Sequence, residues 1–452
     1  MRRIVLSSGV LSLSVLAMAT FTGCVGDDTE VPVADSGAAS PHPDAGLDAT
    51  VVGDDAGNVD AALPSEAAVT DSATDGSDAA SAARYLTLSY EFAGYSRSEY
   101  AAFNLGTARA DGHLQYASFG ANMSTARSPW VLEQKNDLVM KLDPGRPWVP
   151  TASWSVASPP PDAGGFAYAD SMSVAETATH AYVALYNRNS VAVLDTTASP
   201  DGGAPASRID LSALVQAGDE DHSVEDSAAL YDSATKRVWL VLQNVDEEAP
   251  YGGPPDYDSQ CVAGLKSTVV AIDTTTNTLV PNLTYTLTGI NPSTAILDAA
   301  NHRLILLDVG CEEIADGGDA AAGFVTGRVV ESINLGTGTS TVLLDANAMR
   351  RPSGLAYANE HLAFVSFGGA TYAWDPTTTS LGSALTNTPD TFVWDGTGLV
   401  GPRTSYLGDG GVAIDIITVD PLTGAATTIG SNPMSSPDSS GFFESVDLWP
   451  RP

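Results

Sequence analysis

Residues 181–197 read Ala181-Tyr-Val-Ala-Leu-Tyr-Asn-Arg-Asn-Ser-Val-Ala-Val-Leu-Asp-Thr-Thr197. Two apolar runs flank a polar turn, and the second run ends in Asp195 followed by two threonines. Runs of this length rich in β-branched residues read as strands, and an Asp that can hydrogen-bond the backbone two residues on is a turn former. The same phrase, an apolar strand, then Asp or Asn, then a Thr/Gly/Pro turn, returns along the chain. Its marker residues are Asn104, Asp143, Asp195, Asp273, Asn334, Asp375 and Asp420, with successive spacings of 39, 52, 78, 61, 41 and 45 residues. Repetition at roughly 40 to 50 residues with four strands per repeat predicts an all-β fold, a seven-bladed β-propeller.

Each repeat can be written as strands A to D, running outward from a central channel. In the clearest repeat, A covers Ser353 to Tyr357, B covers Leu362 to Phe367, C covers Thr371 to Trp374 and D about Ser380 to Leu385. The last repeat is split. Glu444 to Trp449 has an A pattern with nothing after it, whereas the first strands, from Tyr85 to about Gln115, lack an A before them. Pairing of these N-terminal strands with the C-terminal strand is expected to close the ring and remove its exposed edges. Asp210 to Ala217 is the one short helix candidate. The 181–197 stretch resembles repeats of YVTN-type and WD40-like propellers; the Gly-His and Trp-Asp signatures of true WD40 repeats do not recur, so the resemblance implies an architecture and no activity.

The N-terminus has Arg2 and Arg3, an apolar run from Ile4 to Phe21, then Thr22-Gly23-Cys24. This pattern predicts an export signal over 1–23. Ending on Gly-Cys, it resembles the lipobox of bacterial lipoproteins, which implies lipidation of Cys24; Val25 after the Cys points to the outer membrane or cell surface. Residues 24–83 form an acidic linker. From Val25 to Ala83 there are thirteen Asp and Glu and no Lys, Arg, Phe, Trp or Tyr. Such a segment cannot bury enough apolar surface to offset the entropy of ordering, so a disordered tether is expected, with the propeller spanning 84–452. The formal charge of −35 argues against nucleic acid as a partner, because that binding leans on Lys and Arg contacts to phosphate. It suits cations or basic partners.

In the A-to-D scheme the D-to-A and B-to-C loops share one face. The residues at the head of each A strand should therefore ring that channel mouth: Asp170 with Ser171, Glu225 with Asp226 and Ser227, Asn291 with Ser293, Arg351 with Ser353, Asp390, and Glu444 with Ser445. Asp170, Glu225, Asp226, Asn291, Arg351, Asp390 and Glu444 are the candidate ligand-binding residues. Carboxylate and amide oxygens suit a hard cation, so Glu225, Asp226, Asn291 and Glu444 are a candidate Ca²⁺ set. Two long B-to-C insertions, residues 244–266 and 309–327, lie on the same face and carry Cys261 and Cys311. With Cys24 committed to lipid, these are the remaining thiols of an exported chain, and a disulfide between them is expected. His180, His302 and His361 each precede strand B on the opposite face and read as turn residues. His222 alone lies near the acidic mouth.

No HExxH, CxxC, GxSxG, Walker or Rossmann pattern appears. The expectation is a lipid-anchored, monomeric binding or scaffold module rather than an enzyme, engaging a protein, glycan or small ligand through its acidic top face. One alternative is a Ca²⁺-dependent hydrolase or lactonase with the metal in the channel. Another is uptake-associated capture of a cationic or metal-chelated nutrient.

Overall fold

The computed structural model describes residues 83–92, 97–116, 121–159, 169–198, 203–219, 221–245, 265–312, 325–347, 352–367, 369–407, 411–435, 437 and 441–450. The proposed signal, the linker up to residue 82 and Cys24 lie outside them, as do Arg351, Cys261 and most of both insertions. The described strands form seven four-stranded antiparallel sheets, a seven-bladed propeller. Blade 1 runs from the channel outward as Phe442–Trp449, Tyr85–Glu91, Ser98–Asn104 and Arg109–Tyr116. Blade 2 is Ala121–Thr125, Pro129–Glu133, Leu138–Asp143 and Arg146–Ser155. Blade 3 follows with Ser171–Glu176, His180–Leu185, Ser190–Asp195 and Ser207–Asp210, and blade 4 with Asp226–Asp232, Arg237–Leu242, Thr268–Asp273 and Thr278–Thr286. Blade 5 comprises Pro292–Asp298, Arg303–Glu312, Val325–Asn334 and Ser340–Asp345. Blade 6 has Pro352–Asn359, Leu362–Phe367, Ala370–Trp374 and Leu381–Leu385; blade 7 has the two-residue Val393–Trp394, then Leu399–Tyr406, Val412–Val419 and Ala426–Ser431.

The second strands are continuous apolar runs because both their faces are buried. Side chains alternate across a strand. In His180–Leu185, Tyr182 and Ala184 pack toward blade 4, whereas Ala181, Val183 and Leu185 pack toward blade 2. In Arg237–Leu242, Val238, Leu240 and Leu242 join the blade 3 contact while Trp239 and Val241 join the blade 5 contact. The core is thus a series of inter-blade layers. Blade 1 joins both ends of the chain: Tyr85 pairs with Trp449, Leu86 with Leu448 and Leu88 with Val446.

All seven marker residues fall at the turn between third and fourth strands. Asp195 Oδ1 accepts from Thr197 N at 2.8 Å, Asp273 Oδ1 from Thr275 N at 2.7 Å and Asn334 Oδ1 from Gly336 N at 3.0 Å. These bonds hold the carboxyls of Asp143, Asp195, Asp273, Asp375 and Asp420 below the usual range, with burial a smaller opposing effect. Asn104 is the most buried of the seven markers, accepting from Gly106 N at 2.9 Å and Thr107 N at 3.2 Å while donating to Asp111 Oδ2 at 2.8 Å. Asn104→Ala is therefore expected to cost about 2 kcal/mol, seen as a lower urea midpoint at unchanged slope. A change under about 0.5 kcal/mol would leave the turn reading without energetic support.

The helix candidate is one 3₁₀ turn, Ser212–Leu214. Asp210 Oδ1 accepts from Ser212 N at 2.9 Å and Ser212 Oγ at 2.6 Å, which shapes a turn, and Leu211 is buried in the layer between blades 3 and 4.

Candidate functional site

The channel mouth is shaped by a repeated irregularity. In blade 3, Ser171 pairs with Leu185 and Ser173 with Ala184, so Met172 is an extra, unpaired residue. The same skip leaves out Ser227 in blade 4, Ser293 in blade 5, Ser353 in blade 6 and Glu444 in blade 1. A bulge of this kind bends the strand and re-aims the side chain it carries. Ser227 Oγ donates to Val241 O at 3.1 Å and Ser293 Oγ to Leu307 O at 3.4 Å, so these hydroxyls serve the neighbouring strand. Glu444 stands where three other blades have serine.

Asp170, Glu225 and Asn291, one step before the inner strands of blades 3, 4 and 5, have φ of 53°, 39° and 58°. Their carbonyls accept from Tyr186 N at 2.9 Å, Gln243 N at 3.1 Å and Val309 N at 3.0 Å. This left-handed conformation suits Asn and Asp better than Glu, so part of the mouth's composition answers to backbone geometry.

Each of the four expected Ca²⁺ ligands has its own surroundings. Glu225 Oε2 accepts from Val245 N at 2.8 Å, at the start of its own blade's insertion. Asp226 is fully buried; burial pushes its carboxyl far up, against a smaller lowering effect of a backbone hydrogen bond from Leu185 in blade 3. The backbone N–H of Asn291 donates to Ser267 Oγ at 3.0 Å. Glu444 belongs with two other carboxyls. Among the described residues no group of three or more His, Cys, Asp or Glu is placed to hold a metal ion. Asp390 lies along the second strand of blade 7, donating its amide to Pro402 O at 2.8 Å and accepting from Thr404 N at 2.7 Å. Arg351 and the proposed Cys261–Cys311 bridge lie outside what the structure describes. His222 Nδ1 is 2.8 Å from Asp219 O, and His302 and His361 lie 3.4 Å from Asp232 and Asp375 at the opposite face.

Glu444 lies within electrostatic reach of Glu91 and Asp170. Glu444 keeps some solvent access while lying deep among protein atoms, as a channel-lining side chain does. Burial first, then the charges of Glu91 and Asp170, push its carboxyl up to about 8. Glu91 is almost fully buried at the mouth end of Tyr85–Glu91, and its Oε2 accepts from Ser98 Oγ at 2.8 Å. Sequence reading passed over Glu91. The available signal was a lone carboxylate closing an apolar strand, Tyr85-Leu-Thr-Leu-Ser-Tyr-Glu91.

No protein-family model matches the chain, and no curated protein matches it. Among solved structures, the periplasmic gluconolactonase of Pseudomonas aeruginosa is similar at 14% identity and a TM-score of 0.44, covering 82% of this chain and 100% of that one. A protein from Lactobacillus plantarum is similar at 13% identity and a TM-score of 0.46, covering 80% and 99%. A chain of the nidogen/laminin complex reaches 10% identity and a TM-score of 0.39 over 81% and 98%. Likeness this distant says nothing of activity.

Proposed function

We propose that this chain is an exported propeller that binds a cationic ligand at its acidic channel mouth, with Glu444 as the anchoring group. The supporting observation is the approach of Glu444, Glu91 and Asp170, contributed by two blades that are not neighbours. Carboxyls brought together in a low-dielectric site cannot all ionise, and one retains a proton. A cation entering such a site relieves the repulsion and displaces that proton. In this reading the molecule is a monomeric binding module, held by a lipid on Cys24 and the 24–83 linker at the outer membrane or cell surface.

Titration calorimetry on the full chain with Ca²⁺ and with 1,4-diaminobutane, at pH 6 and pH 8, tests the proposal. The sign follows from competition: the proton occupies Glu444 below about 8, so affinity should rise with pH over this window, with proton release on binding. Glu444→Gln should abolish that rise. No binding of either probe at millimolar concentration in both buffers would sink the reading. Lactone hydrolysis that disappears with chelator would replace it with the metal-dependent hydrolase alternative.

A further inference from the structure

We propose that Asp308 and Glu331 form a proton-sharing clasp that holds the crossover between blades 4 and 5 closed and loosens it as pH rises. The strand register brings the pair together. Asp308 sits opposite Val329, and Glu331 lies two residues further along the same strand, opposite Leu306. Side chains two apart share a face, so Asp308 and Glu331 are diagonal neighbours. Leu304, Leu306 and Ile333 of the same face pack toward blade 4, and both carboxyls point that way, each fully buried.

The hydrogen bonds place the proton. Glu331 Oε1 accepts from Gly289 N at 2.8 Å, and Oε2 accepts from Thr288 N at 3.1 Å and from Ser340 Oγ. Three donors are aimed at Glu331, so its oxygens are already engaged as acceptors. Asp308 finds no such donor: both its carboxyl oxygens are buried with no protein donor, and beside Glu331 two carboxyl acceptors can bond only through a shared proton. Asp308 is therefore the acid, and burial, reinforced by the Glu331 charge, pushes its carboxyl well up. Gly289 lies directly on this pair: a Cβ there would overlap the Asp308 carboxyl.

The other ionisable groups nearby are Arg328, Asp345 and Tyr285; Asp345, paired with Val329, accepts from Asn347 N at 3.0 Å, and the Tyr285 hydroxyl donates to Leu335 O at 3.1 Å. Arg328, on the same strand as Glu331, is turned to the Val309 carbonyl at 3.1 Å. Residues 287–297, comprising the crossover and most of the inner strand, carry no ionisable side chain. Trp239, Val241, Val269 and Ala271, which face blade 5 from blade 4, carry none either. The crossover ends at Asn291 of the channel mouth, so loosening it would disturb that rim. The clasp stands whether or not the mouth binds a cation.

The sign is that of a raised acid. Its stabilising effect is complete below the ordinary Asp range and is lost progressively as pH rises toward the pair's own titration. Amide hydrogen exchange on the full chain should show protection at Thr288 and Gly289 falling about tenfold per pH unit above about pH 4, beyond the intrinsic rise in exchange. In Asp308→Asn, whose amide can still donate to Glu331, that excess dependence should vanish. Identical pH profiles in the two proteins would overturn the clasp. Should the variant not fold, the ¹³C carboxyl titration of the unaltered protein decides: an Asp308 proton retained at neutral pH supports the clasp, and an ionised Asp308 overturns it.

Discussion

Deleting residues 443–452 should leave a chain with no cooperative native state at 25 °C. The segment supplies the inner strand of blade 1, and its loss uncovers Tyr85–Glu91, a strand whose seven residues are all buried. Leu448 and Trp449 leave the core, and Phe443 leaves an edge contact with Tyr90 at 5.2 Å. The Trp449 Nε1 bond to Pro144 O at 2.8 Å, a link into blade 2, goes with them, as does Thr87 Oγ1 to Asp447 O at 3.0 Å. Burial of Leu448 and Trp449 and partial burial of Phe443 and Val446 are worth about 6 kcal/mol before the strand pairing is counted. That alone is comparable to the roughly 5–15 kcal/mol net stability of an ordinary domain. The measurements are circular dichroism during urea titration and size-exclusion chromatography. A peptide of residues 441–452 added in trans should restore a cooperative transition, because the missing strand carries its own pairing register. A soluble monomeric truncation with a single sharp transition would show that the ring does not depend on this strand.

The propeller was legible in the sequence because its signals are local and repeated. Leu362 to Phe367 was bounded correctly because Ala363, Phe364 and Val365 form a run buried on both faces, with Asn359 Oδ1 shaping the turn before it through His361 N at 2.8 Å. The same register identified Asp170, Glu225, Asn291 and Glu444 as heads of inner strands. It did not show where their side chains go. A one-residue bulge re-aims Glu444, and a bulge leaves no mark on an apolar-polar pattern when the bulged residue is itself polar. Glu225 was absorbed by a backbone amide twenty residues further on, a partner that depends on how its insertion begins. Asp308, Glu331 and Glu91 went unnoticed for a different reason. Glu91 closes an apolar strand and Asp308 and Glu331 lie inside theirs, and only the partner on another strand, unknowable from spacing, turns such an anomaly into a site.

Replacing Glu176 with Ala should destabilise the propeller by about 3 to 5 kcal/mol, although Glu176 lies at the far end of its strand from the channel mouth. It closes Ser171–Glu176 in blade 3, and its three side-chain partners all belong to blade 2, Ser128 in the turn between that blade's first two strands. Its oxygens accept from Lys141 Nζ at 2.7 Å, Trp130 Nε1 at 3.1 Å and Ser128 Oγ at 3.3 Å. Trp130 is fully buried and packs on Trp154 at 5.6 Å, so its indole N–H has no water to turn to once the carboxylate is gone. The Lys141 ammonium, 5.7 Å from the Trp130 ring, would keep its charge in a largely enclosed place without a counter-ion. Both losses come from stranding a partner, which is why removing one member of a buried pair costs more than the pair contributes. Glu176→Gln keeps an acceptor for the indole and should cost less than Ala. Lys141→Met, which removes the ammonium and keeps the stem over the ring, should make the second substitution cheaper by about 1 to 3 kcal/mol in a double-mutant cycle. Urea midpoints at unchanged slope provide the readout. Additive single effects would mean that the carboxylate and ammonium are neighbours without being partners, and Glu176 would then act through the indole alone.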